Sequence, residues 1–224
     1  MQTPFTVHST TGEIVLRFPK ASSILRENKI GFCCKNNRPI GEMATEAGME
    51  KHQLLEQINS FYDSIHAIKE QDQDQWTIES MLAYSQDVHT QLKIDIPEIH
   101  DYVSKIYRVH GGKQPELVTV YTLYHLLMEK LSHLLTKKEQ AIFPRIKSNP
   151  SNEPLEDVKN ELMDDYKQIR TILSSLRQTT GDFSVPDWSC HTFRLAFLKL
   201  EELESDLLDL IQLESAYLLN HQNN

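Results

Sequence analysis

Cysteine is scarce: the chain has three, two of them adjacent at Cys33 and Cys34. That is not a disulfide framework, and it fits a reducing compartment. Glycine is scarce as well, with seven in 224 residues. Together with abundant Leu and Glu, this favours an all-α chain over a turn-dense β architecture. No uninterrupted apolar run reaches the roughly 18 residues needed to span a bilayer. Met1 to Ser9 carries no basic stretch followed by an apolar one, so no secretory signal is expected and a cytoplasmic location is. Positive charge is in deficit, with 23 Lys and Arg against 32 Asp and Glu for a net charge of −9. Neither nucleic acid nor an anionic membrane is therefore expected as a partner. The chain also lacks a Gly-rich phosphate loop, a Gly-x-Ser-x-Gly turn and a His-Glu-x-x-His zinc motif, which leaves little support for a hydrolase or transferase.

What is present is helical periodicity. The first ~60 residues read as a compact helical module. Thr11 to Phe18 is a short helix ended by Pro19, and Ser22 to Lys29 a second piece. Gly31, Asn36, Asn37 and Pro39 supply turn chemistry around Cys33 and Cys34. Two further helices, Pro39 to Ala47 and Met49 to Phe61, are separated by Gly48. The polar run Lys69 to Gln75 has no apolar phase and reads as a linker or solvated connector. The expected organisation is a module over 1–61, a linker over 62–77 and a bundle over 78–224.

Past Trp76 come four long segments whose apolar residues recur at alternating steps of about three and four, the spacing of one helix face. The first inward series is Leu82, Ser85, His89, Leu92, Ile96, Ile99, Val103, Ile106, His110, with Pro97 predicting a kink and Gly111-Gly112 ending it. The second is Leu117, Val120, Tyr124, Leu127, Leu131, Leu134, Lys138, closed by Pro144. The third is Leu155, Val158, Leu162, Asp165, Ile169, Ile172, Leu176, and the fourth Leu203, Leu207, Leu210, Glu214, Tyr217. Gly181 to Pro186 joins the last two, with Asp187 or Ser189 available to cap. Long helices joined by short loops predict an antiparallel four-helix bundle.

A carboxylate on a buried stripe is costly unless it is paired or metal-bound. The inward series gather His89, His110, Lys138, Asp165 and Glu214. Two readings follow. One is an ion cluster, with the Lys138 ammonium between Asp165 and Glu214. The other is a metal held by His89, Asp165 and Glu214, since bundle cores build iron and manganese sites from such side chains. Protonated Lys138 cannot be a ligand. His125, Glu129 and His133 share a face at i, i+4 and i+8, beside the core rather than at its centre. His8, His52, His66, His100, His191 and His221 show no partner pattern and read as surface or capping groups.

Several stretches resemble the iron–sulfur cluster repair proteins (repair of iron centres, the ScdA/YtfE type). Ile30-Gly31-Phe32-Cys33-Cys34-Lys35-Asn36, followed by Glu42 to Gly48, is similar to that family's Phe-Cys-Cys-Gly-Gly signature and downstream helix. Val109-His110-Gly111, Pro115-Glu116-Leu117, Glu139 to Pro144, and Cys190 with Leu200 to Glu204 resemble the landmarks of its hemerythrin-like second domain. The resemblance covers nearly the whole chain and implies a small Cys-Cys module before a hemerythrin-like bundle with a non-haem di-iron site.

The family's ligands are four His and two Glu. Carried over, their seats fall on His89, Leu134, Lys138, Asp165, Leu210 and Glu214. Two are kept in kind, Asp165 is a substitute, and Leu134, Lys138 and Leu210 are losses. A register shift or bulge would bring in His133 with Glu139. The two signature glycines are Lys35 and Asn36.

The resemblance implies repair of iron–sulfur proteins damaged by nitric oxide or oxidants, with Cys33 and Cys34 exchanging electrons, NO or metal. Lys35, Arg38 and a nearby helix N-terminus would favour the thiolates. The expected cofactor is iron, one or none rather than two. The expected partners are damaged iron–sulfur proteins or another protein, with a homodimer left open. The alternative is a metal-free binding or regulatory module that kept the fold.

Overall fold

The computed structural model describes residues 4–18, 20–31, 38–69, 77–148 and 156–220. Among them there is no strand, only an isolated bridge between Thr10 and Pro39, so the protein is all-α. The chain divides into two compact units, Met1–Gln73 with Val185–Lys199, and Asp74–Ser184 with Leu200–Asn224.

The first unit contains α1 (Thr11–Arg17), α2 (Ala21–Glu27), α3 (Ile40–Glu46) and α4 (Lys51–Lys69). Thr10 caps α1 by accepting the Glu13 N–H at 3.2 Å. Phe5, Ile14, Val15, Phe18, Leu25, Ile40, Leu54 and Ile58 are buried. Each such side chain withdrawn from water contributes about 1.5–3 kcal/mol. Gly48 ends α3 with a left-handed φ of +78°, a conformation that favours glycine.

Cys33 and Cys34 lie outside the described residues, as do Lys35 and Asn36. Both flanks of their segment are fastened to Thr11. Its backbone N–H donates to the Arg38 carbonyl at 3.1 Å, and its hydroxyl donates to the Gly31 carbonyl at 3.4 Å. Ile40 N–H adds a bond to the Ser9 carbonyl at 2.9 Å.

The second unit is built on α5 (Ile78–His110), α6 (Glu116–Lys137), α8 (Glu156–Thr179) and most of α9 (His191–Asn220). The Thr77/Ser80 capping box starts α5. Gly111 ends it, and a Cβ there would lie 2.5 Å from the Tyr107 carbonyl oxygen. Pro97 is carried inside α5, which runs through it as one element.

Side-chain pairs fix an antiparallel order. His89 meets Glu139 while His100 meets His125, so α5 and α6 run oppositely. Lys137 meets Glu161 while Arg145 meets Asp157. Arg177 meets Glu204 while Tyr166 meets Glu214.

Most of the predicted stripe is buried: Leu82, Ser85, His89, Leu92, Ile96, Ile99, Val103 and Ile106 on α5, and Leu117, Val120, Tyr124, Leu127, Leu131, Leu134 and Lys138 on the second rod. His110 is half-buried at the end of α5. Leu155 and the side chain of Tyr217 lie outside the described residues.

Two corrections matter for the site. Pro144 does not close the second rod. After α6 the chain makes a π-helical turn, Lys138–Ile142, and continues as α7, Phe143–Lys147. Phe143 N–H reaches back five residues to the Lys138 carbonyl, and Pro144, which has no N–H to give, sits in the first turn of α7. The third series passes through Tyr166, not Asp165. The buried residues of α8 are Val158, Leu162, Tyr166, Ile169, Ile172, Leu173 and Leu176. Leu162 to Ile169 spans seven positions, which a four-then-three step satisfies as well as three-then-four.

Candidate functional site

The middle of the second unit holds a polar cluster drawn from every rod. His89 enters from α5 and is fully buried, its ring stacked on Phe143 with centroids 5.3 Å apart. Nδ1 lies 3.1 Å from Oε1 of Glu139. Lys93 clamps the same carboxylate, with Nζ 2.8 and 2.7 Å from its two oxygens. That clamp, the largest influence, holds Glu139 below the usual carboxylate range. An ionised carboxylate only accepts, so His89 carries its proton on Nδ1 and donates it there. Nε2 is left as a buried acceptor with no hydrogen-bond partner. Burial, and then the charge of Lys138, push the His89 pKa down to about 4.

Lys138 enters from the π turn and is 1% exposed. Its Nζ donates to Oε2 of Glu214 at 2.6 Å. The ammonium also lies over two aromatic faces, 5.6 Å from the centroid of Tyr166 and 5.8 Å from that of Phe143. Both rings present their negative faces to the cation. The Tyr166 hydroxyl donates to the same Glu214 oxygen. Burial and the neighbouring Glu214 charge raise the Tyr166 pKa well above its ordinary value, so this phenol stays a donor. The second carboxylate oxygen, Oε1 of Glu214, is buried without a hydrogen-bond partner.

Both side chains leave the chain at the π turn. Successive helical residues diverge by about 100°, so Lys138 and Glu139 address different neighbouring rods. Lys138 is buried toward Glu214, while part-exposed Glu139 reaches His89.

Of the sequence-predicted site residues, His89, Lys138 and Glu214 come together around Phe143 and Tyr166. Asp165 is half-buried and engages Lys137, which also holds Glu161 at 3.0 Å. Glu139 is brought in through His89, whereas His133 is exposed. Leu134 and Leu210 are buried, 4% and 2% exposed. Among the described residues, no group of three or more His, Cys, Asp or Glu stands where it could hold a metal ion. Tyr166, Phe143 and Lys93 were not singled out from the sequence. Tyr166 could have been found as the aromatic residue one step beyond Asp165 on an equally regular stripe.

The antiparallel bundle and its inward acid, base and histidine define a carboxylate-and-histidine helical-bundle protein of the hemerythrin class. Residues 80–220 match the hemerythrin HHE cation binding domain, and residues 7–62 match ScdA_N, a domain of unknown function. The chain belongs to the hemerythrin HHE cation binding family. It is similar over nearly its whole length to iron-sulfur cluster repair proteins. Against the ScdA protein of Staphylococcus haemolyticus (strain JCSC1435) it is 25% identical, covering 96% of this chain and 98% of that one. Against the YtfE protein of Dickeya chrysanthemi (strain Ech1591) it is 26% identical over 91% of each chain. No helix among the described residues is long and apolar enough to cross a membrane.

Proposed function

We propose that this protein serves iron–sulfur cluster repair in the cytoplasm, under nitrosative or oxidative stress, as a member whose bundle is closed by an ion cluster instead of two irons. The relatives' names and the full-length similarity support the repair assignment. The buried Lys138–Glu214 pair carries the rest. An ammonium beside Glu214 repels a dication by several kcal/mol at short range, even at an effective dielectric of ~20. Leu134 and Leu210 offer no donor atom, and Asp165 is committed to Lys137. These residues do not fit a di-iron centre.

The exchange chemistry then rests on Cys33 and Cys34, with iron or NO from the damaged client as their cargo. Thr11 fastens both flanks of that segment. Arg38 lies at its downstream edge, with its guanidinium held by Glu46 at 2.7 Å and Glu42 at 3.2 Å. Lys35 and Arg38 are the cations that the sequence supplies to this segment to favour a thiolate.

The test is restoration of an NO-damaged [4Fe–4S] hydratase by the purified chain, with metal content measured in parallel. The expected result is repair by protein holding at most one iron, unchanged when the buried pair is replaced together in Lys138→Met/Glu214→Leu and lost in Cys33→Ser/Cys34→Ser. Two irons per chain, or repair that survives loss of both thiols, would overturn it. A second reading, a metal-free binding or regulatory module, is favoured by the same buried ion pair. It predicts capture of the damaged client without restored activity.

A further inference from the structure

Away from the central cluster, two histidines face each other across α5 and α6. Nε2 of His100 lies 3.3 Å from Nε2 of His125, with the rings at 86°. Two zinc–nitrogen bonds of about 2.0–2.1 Å, meeting at a tetrahedral angle, hold their nitrogens about 3.3 Å apart. A square-planar centre would draw them to about 2.9 Å. We propose that His100 and His125 form a surface site for a tetrahedral, zinc-class divalent cation that bridges α5 and α6.

The surroundings fit that assignment. Asp101 Oδ1 lies 3.9 Å from Nδ1 of His100, the ring nitrogen turned away from the pair. At that distance the exposed carboxylate makes no hydrogen bond to the ring, and it adds negative charge beside the non-ligating nitrogen. The His125 ring is braced by Tyr121, centroids 4.4 Å apart, and Tyr121 is stacked on Tyr107 at 4.7 Å. This bracing limits the rotamers His125 would lose on binding. Ser104 Oγ lies 3.3 Å from Nε2 of His100, a hydrogen bond that the cation would replace. Glu129 lies one helical turn beyond His125 on the same face and is exposed, which adds negative potential. The His100 side chain is 32% exposed, so a cation and its waters can reach the pair. Two imidazoles leave two positions of a tetrahedral shell to water, one more open position than a three-ligand zinc site has.

The experiment uses the full chain with its cysteines blocked by iodoacetamide, so that thiolates do not compete. Co2+ is titrated in, and its tetrahedral visible absorption is followed before displacement by Zn2+. The expected result is a saturable band removed by Zn2+, with affinity weakened more than tenfold in His100→Ala and in His125→Gln. In the parent, Zn2+ also raises the melting temperature, as any ligand bound only to the folded chain does. His133→Ala, a control one turn past Glu129, leaves both readouts unchanged. Absence of a Co2+ band, or a band that persists in both histidine variants, overturns the site. Loss of the band in the control moves the binding to another face and overturns it too. Circular dichroism on each variant separates lost binding from lost fold, and His125→Gln keeps a polar neighbour for His100.

Discussion

Nζ of Lys138 lies 2.6 Å from Oε2 of Glu214, across 76 residues of chain, with the two side chains 1% and 3% exposed. Neither charge has water to fall back on. The Lys138 ammonium is stabilised by Glu214 and by two aromatic faces, and the Glu214 carboxylate by Lys138 and the Tyr166 hydroxyl. Such a pair stabilises little against an apolar replacement of the same shape, yet losing one partner strands the other.

Lys138→Met alone is therefore expected to destabilise the protein by about 3–5 kcal/mol, through the stranded Glu214 carboxylate. Adding Glu214→Leu should recover most of that loss. Urea denaturation of the two single variants and the double variant measures the coupling. Additive losses would mean that the two charges are solvated independently.

Tyr166→Phe keeps the ring over Lys138 and deletes only the donor to Glu214. The expected cost is about 1.5–3 kcal/mol, the range for a hydrogen bond to a charged group. A thermal melt with unchanged far-ultraviolet dichroism is the readout. A neutral substitution would assign Glu214 entirely to Lys138.

The His89 pKa is held at about 4, against 6.5 for a free imidazole. Between those values the unfolded chain takes up a proton and the folded one does not. The contribution is fully present above about pH 6.5 and is lost as pH falls toward 4, at up to about 1.4 kcal/mol per pH unit. Stability against pH for the parent and His89→Gln should differ in slope in this window. His191 is also shifted down by burial, so the difference between the two curves is the diagnostic quantity. The His89 ring proton resonances should show no titration at pH 6–7.

Gln140 is exposed within the π turn. Deleting it should return the segment to regular helix and turn Lys138 and Glu139 out of register with α7. Either His89 loses Glu139 or Glu214 loses Lys138. The expected destabilisation exceeds about 3 kcal/mol, read from the urea midpoint. A deletion without effect would show that the surplus residue does not position both side chains.

The helical class, the four rods and the inward placement of His89, Lys138 and Glu214 were legible because each follows from the period of one helix. Asp165 was misplaced because Leu162 and Ile169 fix two ends of a turn and leave its middle ambiguous. Tyr166 settles that ambiguity by burying an aromatic ring and offering a hydroxyl to Glu214. Glu139 could be named only as a partner after a shift, since a uniform period cannot say where a helix widens. The meeting of His100 with His125 depends on the relative phase and height of two rods. Neither is written in either segment alone.

The widened turn also bears on any attempt to engineer this bundle. Residue offsets counted on one side of it do not transfer to the other. Walking back from Phe143-Pro144 to choose graft positions upstream displaces each choice by about 100° around the rod. Replacements above Lys138 are better indexed from Tyr124, whose hydroxyl is anchored 2.7 Å from the Ile96 carbonyl, and those below it from Phe143.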